Sequence, residues 1–453
     1  MQAEAQRSWF SAAAIYLQPR VLAMLALGFA AGLPFLLVFS TLSAWLSDAD
    51  VSRSAIGFFG WVGITYSIKV FWAPIVDRLR LPLVGKWLGQ RRSWMLLGQL
   101  GVAAGLCGMA MVNPADNLFW VAVFAVVVAF SSSTQDIAID AYRIEAVVES
   151  YQGAMSANYI FGYRLALLVA GAGALFIADW VSWQWAYLSM AMLMGVGVLT
   201  VALVSEPDQS PEQDEARERE QRLLSKISGG QEASYWQRLT AWFLTAVVGP
   251  FAEFFKRNGA FALLILLFIA VYRLSDITMG IMANPFYLDL GFSKSEIASI
   301  AKVFGFAMTI LGSYLCGLWV LRWGVHKPLI VGAIMVAATN LLFAWMANIP
   351  PNTTALALVI SADNISGGIA GTAFIAYLSG LTNRSYTATQ YALFSSLMTL
   401  PGKAFSGFSG LIVDASGYQS FFLIAAAVGL PAIVLAIYLQ RRDSRLRLAS
   451  SGG

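Results

Sequence analysis

Twelve long apolar runs, separated by short polar stretches, limit what this chain can fold into more than any other feature. A run of about 20 apolar residues is long enough to cross the hydrocarbon core of a membrane as a helix. Of the 453 residues, 58% are apolar and only 12% are charged, which is too little charge to cover the cores of a soluble chain of this length. The sequence therefore predicts an all-α membrane protein with twelve transmembrane helices, and it excludes soluble enzymes and nucleic-acid binders. The predicted spans are 21–46, 54–77, 93–112, 118–141, 153–178, 183–204, 258–282, 297–320, 328–347, 354–379, 388–413 and 418–440.

The lysines and arginines are distributed unevenly between the two sides of the predicted membrane. If the N-terminus is cytoplasmic, only Arg53 and Lys294 of the 29 basic residues fall in loops on the opposite side. The others lie in cytoplasmic segments or inside the spans. Because cytoplasmic loops of multi-pass proteins carry the excess of lysine and arginine, both termini are predicted to be cytoplasmic.

A charged stretch after the sixth span divides the chain into two halves. The mixed charges of residues 206–232 predict a solvated linker. The apolar stretch 239–255 is short and contains Pro250 and Glu253, so it predicts a helix in the membrane interface rather than a span. The predicted organisation is an N-terminal interfacial segment (1–20), a six-helix bundle (21–204), a cytoplasmic linker with its interfacial helix (205–257), a second six-helix bundle (258–440) and a cytoplasmic tail (441–453).

The two halves contain short segments of weakly similar sequence. Ser-Arg-Ser-Ala-Ile at 52–56, after the first span, is similar to Ser-Lys-Ser-Glu-Ile at 293–297, after the seventh. The fifth and eleventh spans each end near an aspartate, Asp179 and Asp414, with a glutamine shortly after. Two six-helix repeats joined by a cytoplasmic linker resemble the major facilitator superfamily, whose halves rock around a central site.

Nine charged residues are predicted inside the spans, where a charge is costly unless it is paired or lines a wet cavity. Arg164 and Lys403 lie at similar depth in the fifth and eleventh spans. Counting back from Asp179 and Asp414 places the two bases one helical turn apart on the same face. A base from each half at that depth predicts an anionic substrate bound between the halves, with pairing to a neighbouring acid as the alternative. The nine residues are Lys69, Arg164, Arg273, Lys302, Lys403, Asp136, Asp140, Asp276 and Asp363.

Several of these charges lie close together along the sequence. Arg273 and Asp276 are three residues apart, so they either neutralise each other or serve the substrate and the proton. Asp136 and Asp140 are one turn apart, and two carboxylates so close favour the protonated form of one of them. We assign proton coupling to Asp136 and a gate salt bridge to Asp140, which lies nearer the cytoplasm. Asp363, near mid-depth in the tenth span, is a second proton candidate.

The loop between the second and third spans carries Asp77-Arg78 and, after ten intervening residues, Gly89-Gln90-Arg91-Arg92. It resembles the cytoplasmic loop signature of the major facilitator superfamily, Gly-x-x-x-Asp-Arg-x-Gly-Arg-Arg, with an insertion and without the leading glycine. In the superfamily this loop latches the two halves by charge pairing. The resemblance implies a gate that includes Asp77, Arg78, Arg91 and Arg92.

Further motifs narrow the resemblance to one family. They are Gly28-Phe29-Ala-x-Gly32-Leu-Pro34 in the first span, Lys69-x-x-Trp72-x-Pro74-x-x-Asp77-Arg78 in the second, Ser133-x-Gln135-Asp136-Ile-x-x-Asp140-Ala141 in the fourth and Gly162-Tyr163-Arg164-Leu165 in the fifth. Together they resemble the AmpG muropeptide permeases of bacterial inner membranes, most clearly over residues 18–206.

The resemblance implies proton-coupled import of anhydromuropeptides (GlcNAc-anhydroMurNAc-peptides) across the inner membrane for peptidoglycan recycling, by alternating access. The peptide carboxylates of such a cargo suit the bases Lys69, Arg164 and Lys403, together with Arg273, and Asp276 is a further proton candidate. The sugars suit amide and aromatic side chains, namely Tyr66, Gln135, Tyr163 and Asn364.

The alternative is a carrier of the same fold with another anionic cargo such as acetyl-CoA, or an efflux carrier. An intramembrane enzyme is disfavoured because no span contains a histidine, and the two cysteines and the single His326 form no metal cluster. We therefore expect no enzymatic activity, no metal and no cofactor. The expected partners are the anionic glycopeptide, protons and membrane lipid, and the chain is expected to be a monomer.

Overall fold

The computed structural model describes residues 14–51, 59–208, 211–228, 233–293, 296–406 and 408–451. All regular secondary structure in these ranges is helical, as predicted. We number the spans in chain order. They are α1 (Pro19–Leu46), α2 (short helical segments between residues 60 and 78), α3 (Gln90–Ala110), α4 (Leu118–Glu145), α5 (Glu149–Trp180), α6 (Trp183–Leu203), α7 (Phe261–Asp289), α8 (Ser299–Trp323), α9 (His326–Met346), α10 (Thr353–Leu381), α11 (Thr387–Ser406) and α12 (Ser409–Arg442).

Ten of these helices in the described part of the chain are long and apolar enough to cross a membrane; α2, which is broken into short segments, and α11 are not among them. In α2, Pro74 and Lys69 interrupt a series of short helical turns, and residues 54–58 of the predicted span lie outside the described residues. In α11, Pro401 and Lys403 follow several serines and threonines. Polar residues and irregular backbone are tolerated in a span that faces a polar cavity rather than lipid.

The break between the last two predicted spans falls at a bend in α12. Gly417 has φ 76° and ψ 169°, a backbone conformation that side chains with a Cβ rarely adopt. The sequence predicted the eleventh span to end at residue 413 and the twelfth to begin at residue 418. The glycine explains why the chain turns there although both flanking segments are helical.

The two halves pack their helices in the same pairs. In the first half α1 packs on α5, and α3 packs on α4 and α6. In the second half α7 packs on α11, and α9 packs on α10 and α12. The halves meet where α5 contacts α8 and α10, and where α11 contacts α2 and α4. The repeated helix pairing agrees with the two six-helix repeats, which the similar sequence segments in the two halves predict.

Apolar clusters show which side of the molecule is closed. We call the side at which α6 ends and α7 begins the linker side. On this side one cluster of first-half residues includes Ala388 and Ala392 of α11, and one cluster of second-half residues includes Ile144 of α4. Toward the opposite side, the two clusters formed by the described residues each belong to a single half. The halves are therefore packed together at the linker side.

The chain between α6 and α7 contains further helices. Pro211–Ser228 is followed by Tyr235–Phe243, the π-helical turn Leu244–Val248 and Gly249–Asn258. We call residues 235–258 the linker helix. Ser234 and Gln237 begin it with a capping box, in which each side chain accepts a hydrogen bond from the other residue's backbone N–H.

Two sequence predictions fall largely on residues that the structure does not describe. Residues 1–13 of the predicted N-terminal interfacial segment lie outside the described residues, and the short 3₁₀ helix Ile15–Leu17 follows them directly before α1. The repeated sequence at 52–56 also lies outside the described residues.

Helices α1 and α5 cross closely because each presents a glycine to the other. A Cβ at Gly162 would lie 1.8 Å from the carbonyl oxygen of Leu25, and a Cβ at Gly28 would lie 2.3 Å from the carbonyl oxygen of Tyr159. Real atoms do not approach so closely, so any side chain at these positions forces the helices apart. The glycines of the first and fifth spans thus serve helix packing.

We predict that Gly162→Ala lowers the stability of the protein, because the added methyl group displaces the backbone of α1. Overpacking of this kind costs about 1–3 kcal/mol. Thermal unfolding in detergent should show a clear fall in Tm. The matched control is Gly195→Ala, where a Cβ meets nothing within 4 Å and Tm should not fall. Equal Tm values for the two variants would contradict the packing role of Gly162.

Candidate functional site

A buried cluster of ion pairs joins the linker-side ends of α2, α3 and α4. Arg91 Nη2 lies 2.8 Å from Asp77 Oδ1 and 2.6 Å from Glu145 Oε1. The three side chains are only 3% to 6% exposed. Charge-assisted hydrogen bonds of this length are strong where water is excluded, so the cluster fixes the three helix ends relative to one another.

Glu206 fixes the start of α3 within the same half. Its carboxylate accepts a hydrogen bond from the backbone N–H of Arg91 at 2.7 Å and another from that of Arg92 at 3.1 Å. Burial raises the pKa of the Glu206 carboxyl, and these two hydrogen bonds act in the opposite direction. Gly89, at φ 86°, leaves the room that this carboxylate needs, since a Cβ there would lie 2.4 Å from Glu206 Cδ.

Asp77 connects this cluster of ion pairs to the second half through hydrogen bonds. Its carboxylate accepts hydrogen bonds from the backbone N–H groups of Ala388 at 3.2 Å and Thr389 at 3.1 Å, and from Thr389 Oγ1 at 3.0 Å. These N–H groups belong to the first turn of α11, where the helix dipole favours an anion. Asp77 therefore binds α2 of the first half to the start of α11 in the second.

The other two arginines of the loop signature occupy different places. The Arg78 guanidinium lies over the ring of Tyr386, 5.2 Å from its centroid, and so contacts the second half. Arg92 Nε donates a hydrogen bond to the carbonyl oxygen of Val201 at 2.8 Å, at the end of α6. Arg92 therefore supports the first half, whereas Arg78 faces the second.

Arg143 is an interface residue that the sequence analysis did not assign to the site. It is fully buried, with Nη2 3.4 Å from Asp140 Oδ1. Its Nη1 donates a hydrogen bond to Ser379 Oγ of α10 at 2.6 Å, and its guanidinium lies 5.0 Å from the ring centroid of Tyr391 of α11. The sequence did contain a signal that could have indicated Arg143. Its spacing from Asp136 and Asp140 places all three residues on one face of α4.

Lys69 and the two aspartates of α4 form a second charged group next to this interface. Lys69 Nζ lies 3.9 Å from Asp140 Oδ2, and the two side chains are 11% and 10% exposed. Asp140 is thus shared between Lys69 and Arg143. Asp136 Oδ1 is buried and has no hydrogen-bond partner among the described residues, and Lys69 and Asp140 lie close enough to act on its charge.

Arg164 lies near the middle of α5, and its side chain is exposed. Arg273 and Asp276 of α7 lie close enough to act on its charge, so Arg164 faces the space between the halves. Arg273 Nε donates a hydrogen bond to Asp276 Oδ2 at 2.9 Å, which gives Arg273 its own counter-charge. In the described part of the chain, Arg164 has neither an ion-pair nor a hydrogen-bond partner.

Lys403 of α11 reaches across to α2. Its side chain is exposed, and Nζ lies 3.1 Å from Ser67 Oγ. Lys69 is close enough to act on its charge. Arg164 and Lys403, the two bases predicted as a pair, are therefore both exposed where one half faces the other. The side chain of Lys302 lies outside the described residues.

The side chains predicted to contact sugars are divided between two environments. Tyr66 and Tyr163 both lie close enough to Asp136 to interact with its charge. They therefore belong to the same region as Asp136 and the neighbouring charged residues. Gln135 is fully buried, and its Nε2 donates a hydrogen bond to a backbone carbonyl of α1 at 2.8 Å. The structure thus places Gln135 in the contact between α4 and α1.

Asp363 and Asn364 are adjacent in α10 but contact different helices. Asp363 Oδ1 accepts a hydrogen bond from Thr339 Oγ1 of α9 at 3.3 Å. Asn364 Oδ1 accepts one from Thr309 Oγ1 of α8 at 2.8 Å. Asp276 lies close enough to interact with Asp363, which connects Asp363 to the charged residues of α7. Asn364 lies apart from them, between α8 and α10.

Comparison with known proteins agrees with this arrangement. The sequence model of the Major Facilitator Superfamily matches residues 24–288 and 264–452. The anhydromuropeptide permease of Escherichia coli strain K12 is 32% identical over 426 residues, which cover 93% of this chain and 80% of that protein. A Rickettsia conorii protein that carries the name AmpG 4 is 34% identical over 430 residues, which cover 94% of this chain and 98% of that protein.

Solved structures share the fold at much lower identity. The proton:xylose symporter XylE superposes with a TM-score of 0.65 at 14% identity, over 93% of this chain and 94% of that one. The Escherichia coli fucose:proton symporter FucP gives a TM-score of 0.62 at 13% identity, over 94% and 98%. The superfamily match spans both halves and the closer relatives cover nearly the whole chain, so this multi-pass membrane protein belongs to the AmpG permease family of the Major Facilitator Superfamily and is a transporter.

Proposed function

We propose that this protein imports anhydromuropeptides across the bacterial inner membrane by proton-coupled alternating access. The observation that carries the proposal is Arg164, an exposed residue that lies at mid-depth in α5 close to Arg273 and Asp276 of the other half. A charge at that depth is maintained only for a function or a partner, and a guanidinium binds a carboxylate through two parallel hydrogen bonds. The name of the Escherichia coli relative, anhydromuropeptide permease, supports a cargo that carries peptide carboxylates.

The proposed binding site lies between the halves and uses residues of both. Arg164 and Lys403 bind the carboxylates of the cargo, and Tyr66 and Tyr163 contact its sugars. Aromatic rings suit the apolar faces of sugar rings, while hydroxyl groups suit their edges. Gln135 and Asn364 are held by hydrogen bonds to neighbouring helices, so the proposal gives them no direct contact with the cargo.

Lys69 and Arg273 have a different role in this proposal, because each is next to an aspartate. Lys69 lies beside Asp140, and Arg273 bonds to Asp276. Each base reaches the cargo only when its own ion pair opens. Binding of an anionic cargo would thus compete with these pairs, which links cargo binding to the charges that hold the interface.

We further propose that the linker side is cytoplasmic, as the distribution of basic residues predicts. Asp77 and Arg143 contact the second half on that side, so the arrangement corresponds to a state that receives cargo from the periplasm. Gate opening then requires both contacts to break. In this proposal the two bundles keep the bounds predicted from the sequence, and both termini are cytoplasmic.

Asp136 is the residue that we propose carries the proton. Its buried Oδ1 has no partner among the described residues, and Lys69 lies nearby. Protonation would remove the attraction between Asp136 and Lys69 and let Lys69 pair more fully with Asp140. That change weakens the hold of Asp140 on Arg143, which in turn contacts Ser379 of the other half. Asp363, beside Asp276, is the second candidate.

We predict that Arg164→Gln reduces uptake by about 10-fold to 100-fold, since a hydrogen bond to a charged group contributes about 1.5–3 kcal/mol. The measurement is uptake of radiolabelled GlcNAc-anhydroMurNAc-peptide into proteoliposomes that contain equal amounts of folded protein. Lys403→Ala should lower uptake in the same way. Lys327→Gln is the matched control, because this lysine is exposed at the start of α9.

Wild-type uptake by both Arg164→Gln and Lys403→Ala would overturn the proposed carboxylate site. If the folded wild-type protein takes up no muropeptide, the proposal for the cargo is wrong. Another anionic cargo, with acetyl-CoA as the next compound to test, would then replace it.

We predict that Asp136→Asn abolishes the effect of an acid-outside pH gradient while cargo can still equilibrate. A neutral side chain at this position does not exchange a proton, so transport loses its driving force. The measurement compares accumulation with and without the gradient in the same proteoliposomes. Asp414→Asn, at an exposed aspartate just before the bend at Gly417, is the control and should keep the gradient effect. If the pH gradient still stimulates accumulation in Asp136→Asn, the assignment of the proton to Asp136 is wrong, and Asp363 becomes the proposed carrier.

We predict that Asp77→Asn opens the linker side, because the neutral amide loses its ion pair with Arg91 and its strong hydrogen bonds to the start of α11. The reporter is the thiol introduced by Ala392→Cys, at a buried position between the halves, after Cys107 and Cys316 are replaced by serine. A membrane-impermeant maleimide added from the linker side should label it about 10-fold faster in the variant. Asp48→Asn, on the opposite side, is the control, and equal rates in all three proteins would contradict the gate.

A further inference from the structure

One face of the linker helix is buried against the second half. The ring of Phe254 is fully buried and packs on Phe394 of α11 with a centroid distance of 5.2 Å. The π-helical turn Leu244–Val248 adds one residue to a turn, which keeps the buried positions before and after it on one line. These buried positions are Ala241, Ala246, Pro250 and Phe254.

Glu253 is the polar anchor of this face. Its two carboxylate oxygens accept hydrogen bonds from Asn383 Nδ2 at 2.8 Å and from Gln390 Nε2 at 2.7 Å. Arg257 Nε lies 3.2 Å from Glu253, and Arg257 Nη2 donates a hydrogen bond to the carbonyl oxygen of Leu381 at 2.6 Å. Together these contacts fix the loop between α10 and α11 to the linker helix.

The loop fixed by Glu253 is followed directly by the first turn of α11, which forms the gate contact with Asp77. Gln390, which donates to Glu253, follows Thr389 in the first turn of α11. Thr389 donates its backbone N–H and its hydroxyl to Asp77 of the first half. Glu253 of the linker helix therefore helps to position the donor groups of Thr389 that bind the Asp77 carboxylate.

The linker helix also contacts the first half at the same place. Arg78 Nη2 lies 3.4 Å from the carbonyl oxygen of Thr245, in the π-helical turn. Gly249 lies close to Tyr386, the residue beneath the Arg78 guanidinium, since a Cβ at Gly249 would lie 3.1 Å from the Tyr386 hydroxyl. The helix thus bridges the two halves at the closed side.

The opposite face of the linker helix is apolar and exposed. Five large side chains on it are between 41% and 73% exposed. The helix ends at Asn258 and α7 begins at Phe261, so only a short turn separates the linker helix from the start of a span. Aromatic residues on the apolar face and an exposed base such as Lys256 beside it are typical of helices in the headgroup region. The five residues are Trp236, Leu239, Phe243, Val248 and Phe255.

We propose that the linker helix lies in the lipid interface of the linker side and holds the gate in place through Glu253. The bilayer is the partner of the exposed face, and Glu253 is a positioning residue for the loop that receives Asp77. Because the helix is held in the interface and in contact with both halves, it restrains the start of α11 while the gate is closed. The proposal rests on the chain being a membrane transporter and not on its cargo.

The first test measures what covers the exposed face. Spin labels are attached after Leu239→Cys or Phe243→Cys, in protein without Cys107 and Cys316, in proteoliposomes of phosphatidylethanolamine and phosphatidylglycerol. Oxygen should relax both labels more strongly than a water-soluble nickel chelate does. A label after Ser225→Cys, in the charged helix Pro211–Ser228, is the control and should show the reverse order. Water-like labels at 239 and 243, or labels shielded from both reagents by another protein surface, would overturn the lipid assignment.

The second test measures the role of Glu253 without any cargo. Glu253→Gln should speed maleimide labelling of the Ala392→Cys thiol by about 10-fold, because a neutral side chain holds the loop less firmly. Asn383→Ala, which removes one of the hydrogen bonds, should produce a smaller increase. Glu218→Gln, at an exposed ion pair of the charged helix, is the control. Unchanged labelling in both Glu253→Gln and Asn383→Ala would overturn the positioning role, whatever the protein transports.

Discussion

The carboxylate of Asp77 is the contact on which the closed side depends, because it has partners in both halves. Arg91 of its own half binds one oxygen, and the first turn of α11 donates N–H groups to the carboxylate from the other half. A single side chain thus connects α2, α3 and α11, and the linker helix supports this connection through Glu253.

Charge pairing separates the intramembrane charges into two groups. Lys69, Asp140 and Arg143 form a buried series that ends on the second half, so their charges serve the contact between halves. Arg164 is exposed and faces α7 with no partner among the described residues, which leaves its charge for a ligand. The cost of an unpaired charge in the membrane makes this distinction informative. Cargo binding and gate opening can then be linked, because Lys69 lies near Lys403 and next to Asp140.

Several residues of the candidate site carry local signals in the sequence. The loop signature predicted Asp77 and Arg91 as candidates, and the spacing along α4 predicted Asp136 and Asp140. Arg143 was missed, since its partners Ser379 and Tyr391 lie more than two hundred residues away in the chain. Glu253 was noticed only as a reason against a span. Its partners are likewise distant in sequence, so no local pattern indicates them. Gln135 was assigned to sugar binding from its side-chain chemistry, whereas the structure shows it bonded to α1.

The helical spans, the division into two halves and the family can be predicted without a structure, because apolar length, charge distribution and short motifs are properties of neighbouring residues. The three-dimensional packing of the helices was needed to show which charges are paired, which are exposed and which side of the molecule is closed. These properties depend on side chains from different helices, and helix packing alone brings them within hydrogen-bonding distance. A base such as Lys69 or Arg164 looks the same in the sequence, and the helix that faces it decides whether its charge holds the gate or remains available to a ligand.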